Sequence, residues 1–202
     1  MPGNWFELKN KDNDKLVPLG LEEFKRQVTE QINGRSLFLD NINSHWNHKA
    51  RKVNDISFIL DEERFQRLID LNENETRHPI ITFHGTNANA TAAILRDGYR
   101  APGVNGGRQA HGSMYGPGVY SSHFVDKACC YVLGNRGGIE LIVNLLFLGT
   151  VKMIPVSMHG GRGAPKNGIY PDNSNTHVVF GLDQVISADP ERVVPIATLR
   201  LS

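Results

Sequence analysis

The chain has 202 residues, enough for one domain with an N-terminal extension, and its 40% hydrophobic and 21% charged fractions suit a packed globular core. With 22 basic against 21 acidic residues the net charge is +1, so no global field draws the molecule to nucleic acid or to an anionic membrane. The most apolar run, residues 139–148, is interrupted by Glu140 and Asn144 and is too short to span a bilayer, and the N-terminus has no apolar signal region, so the expectation is an intracellular protein, cytoplasmic or nuclear.

Residues 1–19 are polar and irregular. Leu21, Phe24, Val28 and Ile32 recur at spacings of three and four and predict a helix over 21–32, ended by Asn33-Gly34, with a short strand over 36–39 after it. Residues 41–51 have no clear period. The alternation over 53–60 predicts a strand, and Asp61 with the acidic pair Glu62-Glu63 opens a helix over 61–71. A β-branched run over 79–84 predicts another strand. Asn87 and Asn89 then serve as caps of a helix that runs through Leu95 and stops at Gly98.

Residues 100–118 hold six glycines and two prolines and predict a long loop, a feature that in compact domains usually carries function. A helix over 123–133, a strand over 139–148, a second glycine-rich loop over 158–168, a strand over 176–180 and a closing strand over 193–201 complete the chain. This is an α+β pattern without repeats. The expected division is an N-terminal extension over 1–49 and one domain over 50–202. Cys129 and Cys130 are adjacent, a poor arrangement for a disulfide and at most half a zinc site, so they read as two small side chains and no metal is expected.

Three segments carry chemistry together. Phe83-His84-Gly85-Thr86 ends a strand. Gly116-Pro117-Gly118-Val119-Tyr120-Ser121-Ser122 continues into Lys127, Ala128 and Tyr131, with Lys127 and Tyr131 seven and eleven residues after Tyr120. Asn175-Thr176-His177-Val178-Val179-Phe180 leads to Gln184-Val185. Singly each has a plain reading: His-Gly as a turn, the tyrosines as core, the last strand as a buried strand. In this order and spacing they resemble the catalytic domain of the poly(ADP-ribose) polymerase superfamily, over roughly residues 50–202.

The resemblance implies an ADP-ribosyltransferase fold: two packed, mainly antiparallel sheets around an NAD⁺-binding cleft with short flanking helices. NAD⁺ would be the substrate. His84 matches the histidine that hydrogen-bonds the adenosine ribose, Gly85 the glycine whose backbone clamps the nicotinamide carboxamide, and Thr86 a hydroxyl on the same ribose. Tyr131 matches the ring stacked on nicotinamide and Tyr120 the ring on its other side. Gly118 of the Gly-x-Gly-Val-Tyr run is counted with the NAD⁺-binding positions, and residues 100–114 would form the donor loop. Nicotinamide in NAD⁺ is a flat cation, which explains the aromatic faces, each worth about 0.5–2 kcal/mol. A glycine backbone supplies the donor and acceptor that a carboxamide needs and lets the ring come close.

Two positions depart from the family's pattern. Thr176 stands where chain-building polymerases carry a glutamate that binds the ribose 2′-OH and polarises the acceptor hydroxyl, and threonine cannot act as a base near neutral pH. Ala128 stands where many members use a serine hydroxyl on the carboxamide, a loss of about 0.5–1.5 kcal/mol. Alternation along the strand would turn His177 away from the site if Thr176 faces in, and His111 reads as a solvent-exposed donor-loop residue.

The resulting expectation is a mono-ADP-ribosyltransferase with His84, Tyr120 and Thr176 at the three catalytic positions, acting on an acceptor protein or on itself. The alternative is a catalytically silent NAD⁺ or ADP-ribose binding module. Modification of nucleic-acid ends, or RNA 2′-phosphotransfer, fits less well with the near-neutral charge.

Overall fold

A computed structural model of the chain describes residues 20–42, 53–73, 79–100, 115–132, 139–155, 169, 172–180 and 184–201. The expectations for residues 1–19, for the donor loop over 100–114 beyond its first residue, with His111, and for the glycine-rich loop over 158–168 lie outside the described residues.

In chain order the elements are α1 (Leu21–Ile42), β1 (Val53–Phe58), α2 (Glu62–Glu73), β2 (Ile80–Gly85), α3 (Ala88–Asp97), β3 (Val119–Ser122), α4 (Val125–Cys129), β4 (Ile139–Leu146), β5 (Val151–Pro155), β6 (Thr176–Phe180), β7 (Gln184–Ser187) and β8 (Val193–Leu201), with a single 3-10 turn at Pro190–Arg192. α1 runs past Asn33-Gly34 and absorbs the segment expected as a strand over 36–39. A mid-helix glycine costs only about 1 kcal/mol relative to alanine, so it punctuates a helix without obliging it to stop. α2 opens as expected, with the Asp61 carboxylate accepting from the Arg64 N–H at 2.8 Å. Asn87 caps α3, accepting from the Ala90 N–H at 2.9 Å, and Asn89 lies inside the helix instead. α4 has five residues where a helix over 123–133 was expected.

Among the described residues the eight strands are hydrogen-bonded into one sheet in the order β1-β8-β4-β2-β3-β7-β6-β5. Every pairing is antiparallel except β5 with β6. The sheet is continuous, yet it divides into two halves of four strands whose junction is thin. β2 is in register with β4 along its whole length, from Ile80↔Leu146 to Gly85↔Leu141, but meets β3 at a single pair, Phe83↔Ser122. Two packed sheets were expected; the described strands form one continuous sheet, narrowed to a single pair between β2 and β3.

The largest core cluster lies under the first half. Phe24, Val28 and Ile32 of α1 and Phe65 and Leu68 of α2 are buried with Phe83, Leu141, Val143 and Leu199 of the sheet, and the Phe24 and Phe65 rings sit 5.3 Å apart. A helix in the 1–49 segment therefore contributes to the domain's own core, at about 1.5–3 kcal/mol per fully buried side chain. A second cluster, Tyr115, Ile154, Val179, Ile186 and Ala188 with Tyr120 packed on it, fills the other half.

Candidate active site

The junction between the halves is where the sequence motifs meet. Continuing the antiparallel register from Phe83↔Ser122 would set Gly85 opposite Tyr120, but the ladder stops first. The Tyr120 carbonyl instead receives the His84 ring, with Nδ1 2.7 Å away. A carbonyl only accepts, so Nδ1 carries the proton and Nε2 presents a lone pair. Burial holds the His84 imidazole below its ordinary range, against the opposing pull of that bond, so the neutral ring is the resident form. Tyr99 braces it: its ring meets His84 edge-on at 5.3 Å and 82°, and its hydroxyl donates to Asn144 Oδ1 at 3.0 Å. Tyr99 is delivered there by the end of α3, where Gly98 takes a positive φ of 78°. Its place just after the helix stop was readable in the sequence, but its contact with His84 was not.

Gly85 is required for a reason beyond ligand access. A Cβ there would lie 2.0 Å from the Ala128 carbonyl oxygen, so the missing side chain is what lets α4 close on β2. That carbonyl in turn accepts the Tyr131 N–H at 3.1 Å. Tyr131 stands 44% exposed beside the junction, an available aromatic face, and its hydroxyl accepts from the Gln184 amide at 2.9 Å. Gln184 is paired with Ser122, so the bond ties the end of α4 to β7 across the two halves. Sequence reasoning placed Gln184 at the end of a motif without assigning it this work.

Tyr120 is fixed through its hydroxyl, which donates to the Gly116 carbonyl at 2.7 Å and accepts from the Tyr115 N–H at 3.2 Å. Burial pushes its phenol above the ordinary range, so Tyr120 is a neutral wall rather than a proton carrier. Gly118 and Thr86 are half-buried, Gly118 just before β3 and Thr86 just after β2.

The structure thus brings His84, Gly85, Tyr120, Ala128 and Tyr131 together. Thr176 is fully buried and donates its hydroxyl to the Leu148 carbonyl at 2.7 Å. By the strand register Thr176 shares a face with Ser187 and Val119, and the neighbouring face carries Ile186 and Tyr120. His177 alternates away from Thr176 as expected, which places it on Tyr120's side. Among the described residues no group of three His, Cys, Asp or Glu side chains is arranged to hold a metal, Cys129 and Cys130 are not joined in a disulfide, and no helix is long and apolar enough to cross a membrane.

An unprotonated imidazole nitrogen, a half-buried glycine where the β2–β3 ladder stops and an exposed tyrosine at one strand junction suit a polar ligand that carries a flat ring. The chain matches the family model of the poly(ADP-ribose) polymerase catalytic domain over residues 36–157, and it belongs to that family. Domains of this family use NAD⁺ as substrate and transfer its ADP-ribose. A comparison with curated proteins finds no match.

Proposed function

We propose that the chain moves single ADP-ribose units from NAD⁺ to a protein side chain, its own or a partner's, and releases nicotinamide. The observation that carries this reading is Thr176: at the position of the polymerases' glutamate stands a neutral hydroxyl, already committed to Leu148 and fully buried. His84 Nε2 would accept from a ribose hydroxyl, Gly85 would receive the carboxamide, and Tyr131 and Tyr120 would flank the nicotinamide ring. The residues present fit NAD⁺ on this account, because neutral His84 has an acceptor to offer and Tyr131 an uncovered face. An acidic acceptor is already an anion and needs no general base, whereas a ribose hydroxyl, the nucleophile of chain extension, does. Two cysteines held as thiols and an NAD⁺ substrate suit a cytoplasmic or nuclear setting.

The same buried Thr176, with Ala128 in place of a carboxamide-binding serine, also favours the second reading, a silent NAD⁺-binding module. Labelled NAD⁺, with nicotinamide release and label on protein read separately, distinguishes the two. Release with transfer supports the enzyme, and saturable binding without release supports the module.

A further inference from the structure

We propose that His177, together with Asp172, is a positioning pair that holds the Tyr115–Gly116 turn and through it the Tyr120 ring at the strand junction. This rests on the reading that Tyr120 walls the NAD⁺ site. His177 is fully buried, and both ring nitrogens face acceptors: Nδ1 lies 3.0 Å from the Tyr115 carbonyl, and Nε2 lies 3.2 Å from Asp172 Oδ2. Neither neutral tautomer can make both bonds, since one nitrogen would then turn a lone pair toward an oxygen. The doubly protonated ring makes both. The turn so anchored is the one that holds Tyr120, because the Tyr115 N–H and the Gly116 carbonyl are the two partners of the Tyr120 hydroxyl. A continuous chain of hydrogen bonds therefore runs from Asp172 through His177 and the turn to the ring.

Among the described residues, the charged groups at His177 are Asp172, from the turn before β6, and Lys152, its register neighbour on β5. β7 contributes the apolar Ile186. Lys152 Nζ sits 3.1 Å from Asp172 Oδ2, so it shares the carboxylate with His177. Burial pushes the Asp172 carboxyl up, but hydrogen bonds from Ser174 and Lys152 and the facing His177 outweigh it and hold it at about 2. Asp172 therefore faces the His177 ring as an anion.

The test compares the ¹³C signals of the Tyr120 ring and the affinity for 3-aminobenzamide in the unaltered protein and in variants of the pair at one fixed pH. Asp172→Asn, which removes the anion facing Nε2, and His177→Phe, which removes both ring bonds, should each move the Tyr120 signals and weaken 3-aminobenzamide by up to about tenfold, the worth of one aromatic wall. The double variant should add little to His177→Phe, because the two residues act through one chain of bonds. If His177→Phe fails to fold, Asp172→Asn still decides. Tyr120 signals unmoved by Asp172→Asn, or fully additive losses in the double variant, would overturn the pair's role. Absence of 3-aminobenzamide binding in the unaltered protein, with the Tyr120 signals still moving in the variants, would instead overturn the NAD⁺ reading and leave the positioning of Tyr120 standing.

Discussion

The carbonyl oxygen of Ala128 occupies the space where a side chain on Gly85 would begin: a Cβ there would stand 2.0 Å from it, and 2.9 Å from a methyl group of Val132. Helix α4 and strand β2 are in contact because residue 85 has no side chain, and Tyr131 is placed by that contact.

Gly85→Ala should therefore act on both stability and the site. The obstructing atom belongs to the backbone, so the clash cannot be relieved by a rotamer change, and a cost at or above the upper end of the usual overpacking range of about 1–3 kcal/mol is expected. Urea denaturation should show it. In the protein that remains folded, 3-aminobenzamide binding should be lost. Unchanged stability would mean that α4 is not seated on β2 as described.

Tyr131 should divide into a ring part and a hydroxyl part. Tyr131→Ala removes the exposed face and should weaken 3-aminobenzamide by about 2- to 12-fold, the equivalent of about 0.5–1.5 kcal/mol. Tyr131→Phe and Gln184→Leu each remove the same hydrogen bond. Their effects on binding should be small and similar, and the double variant should add little to either. Additive losses in calorimetry would show that Gln184 acts on something other than Tyr131.

His84 gives the domain a pH dependence whose sign is fixed. Burial lowers the folded-state value, so the unfolded chain binds the proton more readily, near about 6.5. The His84 contribution to stability is complete above that pH and declines as pH falls toward and through the lower folded value. Protonation also turns Nε2 from acceptor to donor, so NAD⁺ affinity should fall over the depressed range. His84→Gln should flatten this part of the stability profile measured by thermal unfolding at a series of pH values.

Thr176 should respond to substitution as a packed residue rather than a catalytic one. Thr176→Ala strands the Leu148 carbonyl and should cost about 1–3 kcal/mol of stability while leaving product length unchanged. Thr176→Glu places a carboxylate in a fully buried position facing that carbonyl, and should be destabilised by several kcal/mol rather than gain chain extension. A stable Thr176→Glu variant that builds polymer would overturn this placement of residue 176.

The parts legible in the sequence were those written locally. The β-branched run over 79–84, the Asn87 cap, the Gly98 stop and the periodic apolar face of α1 are all short-range signals, and each has its counterpart in the structure. β5 and β7 are too short to show a period, and the alternation over 53–60 ends at Phe58 as β1 does. The contacts that build the site were illegible for a different reason. Gln184 and Tyr131 are 53 residues apart, His177 and Tyr115 are 62 apart, and both bonds exist only once β3, β6 and β7 have paired. The bond from the Thr176 hydroxyl to the Leu148 carbonyl, 28 residues away, is likewise a product of packing that no local pattern announces.

The central claim is transfer limited to one ADP-ribose per acceptor site, and intact-mass spectrometry of the protein after incubation with NAD⁺ tests it most directly, with released nicotinamide quantified in the same sample. The account predicts discrete single ADP-ribose increments, each matched by one nicotinamide, and no ladder of products at longer times. Long, phosphodiesterase-sensitive polymers would contradict it by showing that another residue supplies what the polymerases' glutamate supplies. Bound NAD⁺ with neither nicotinamide nor modified protein would contradict it in favour of a silent binding module.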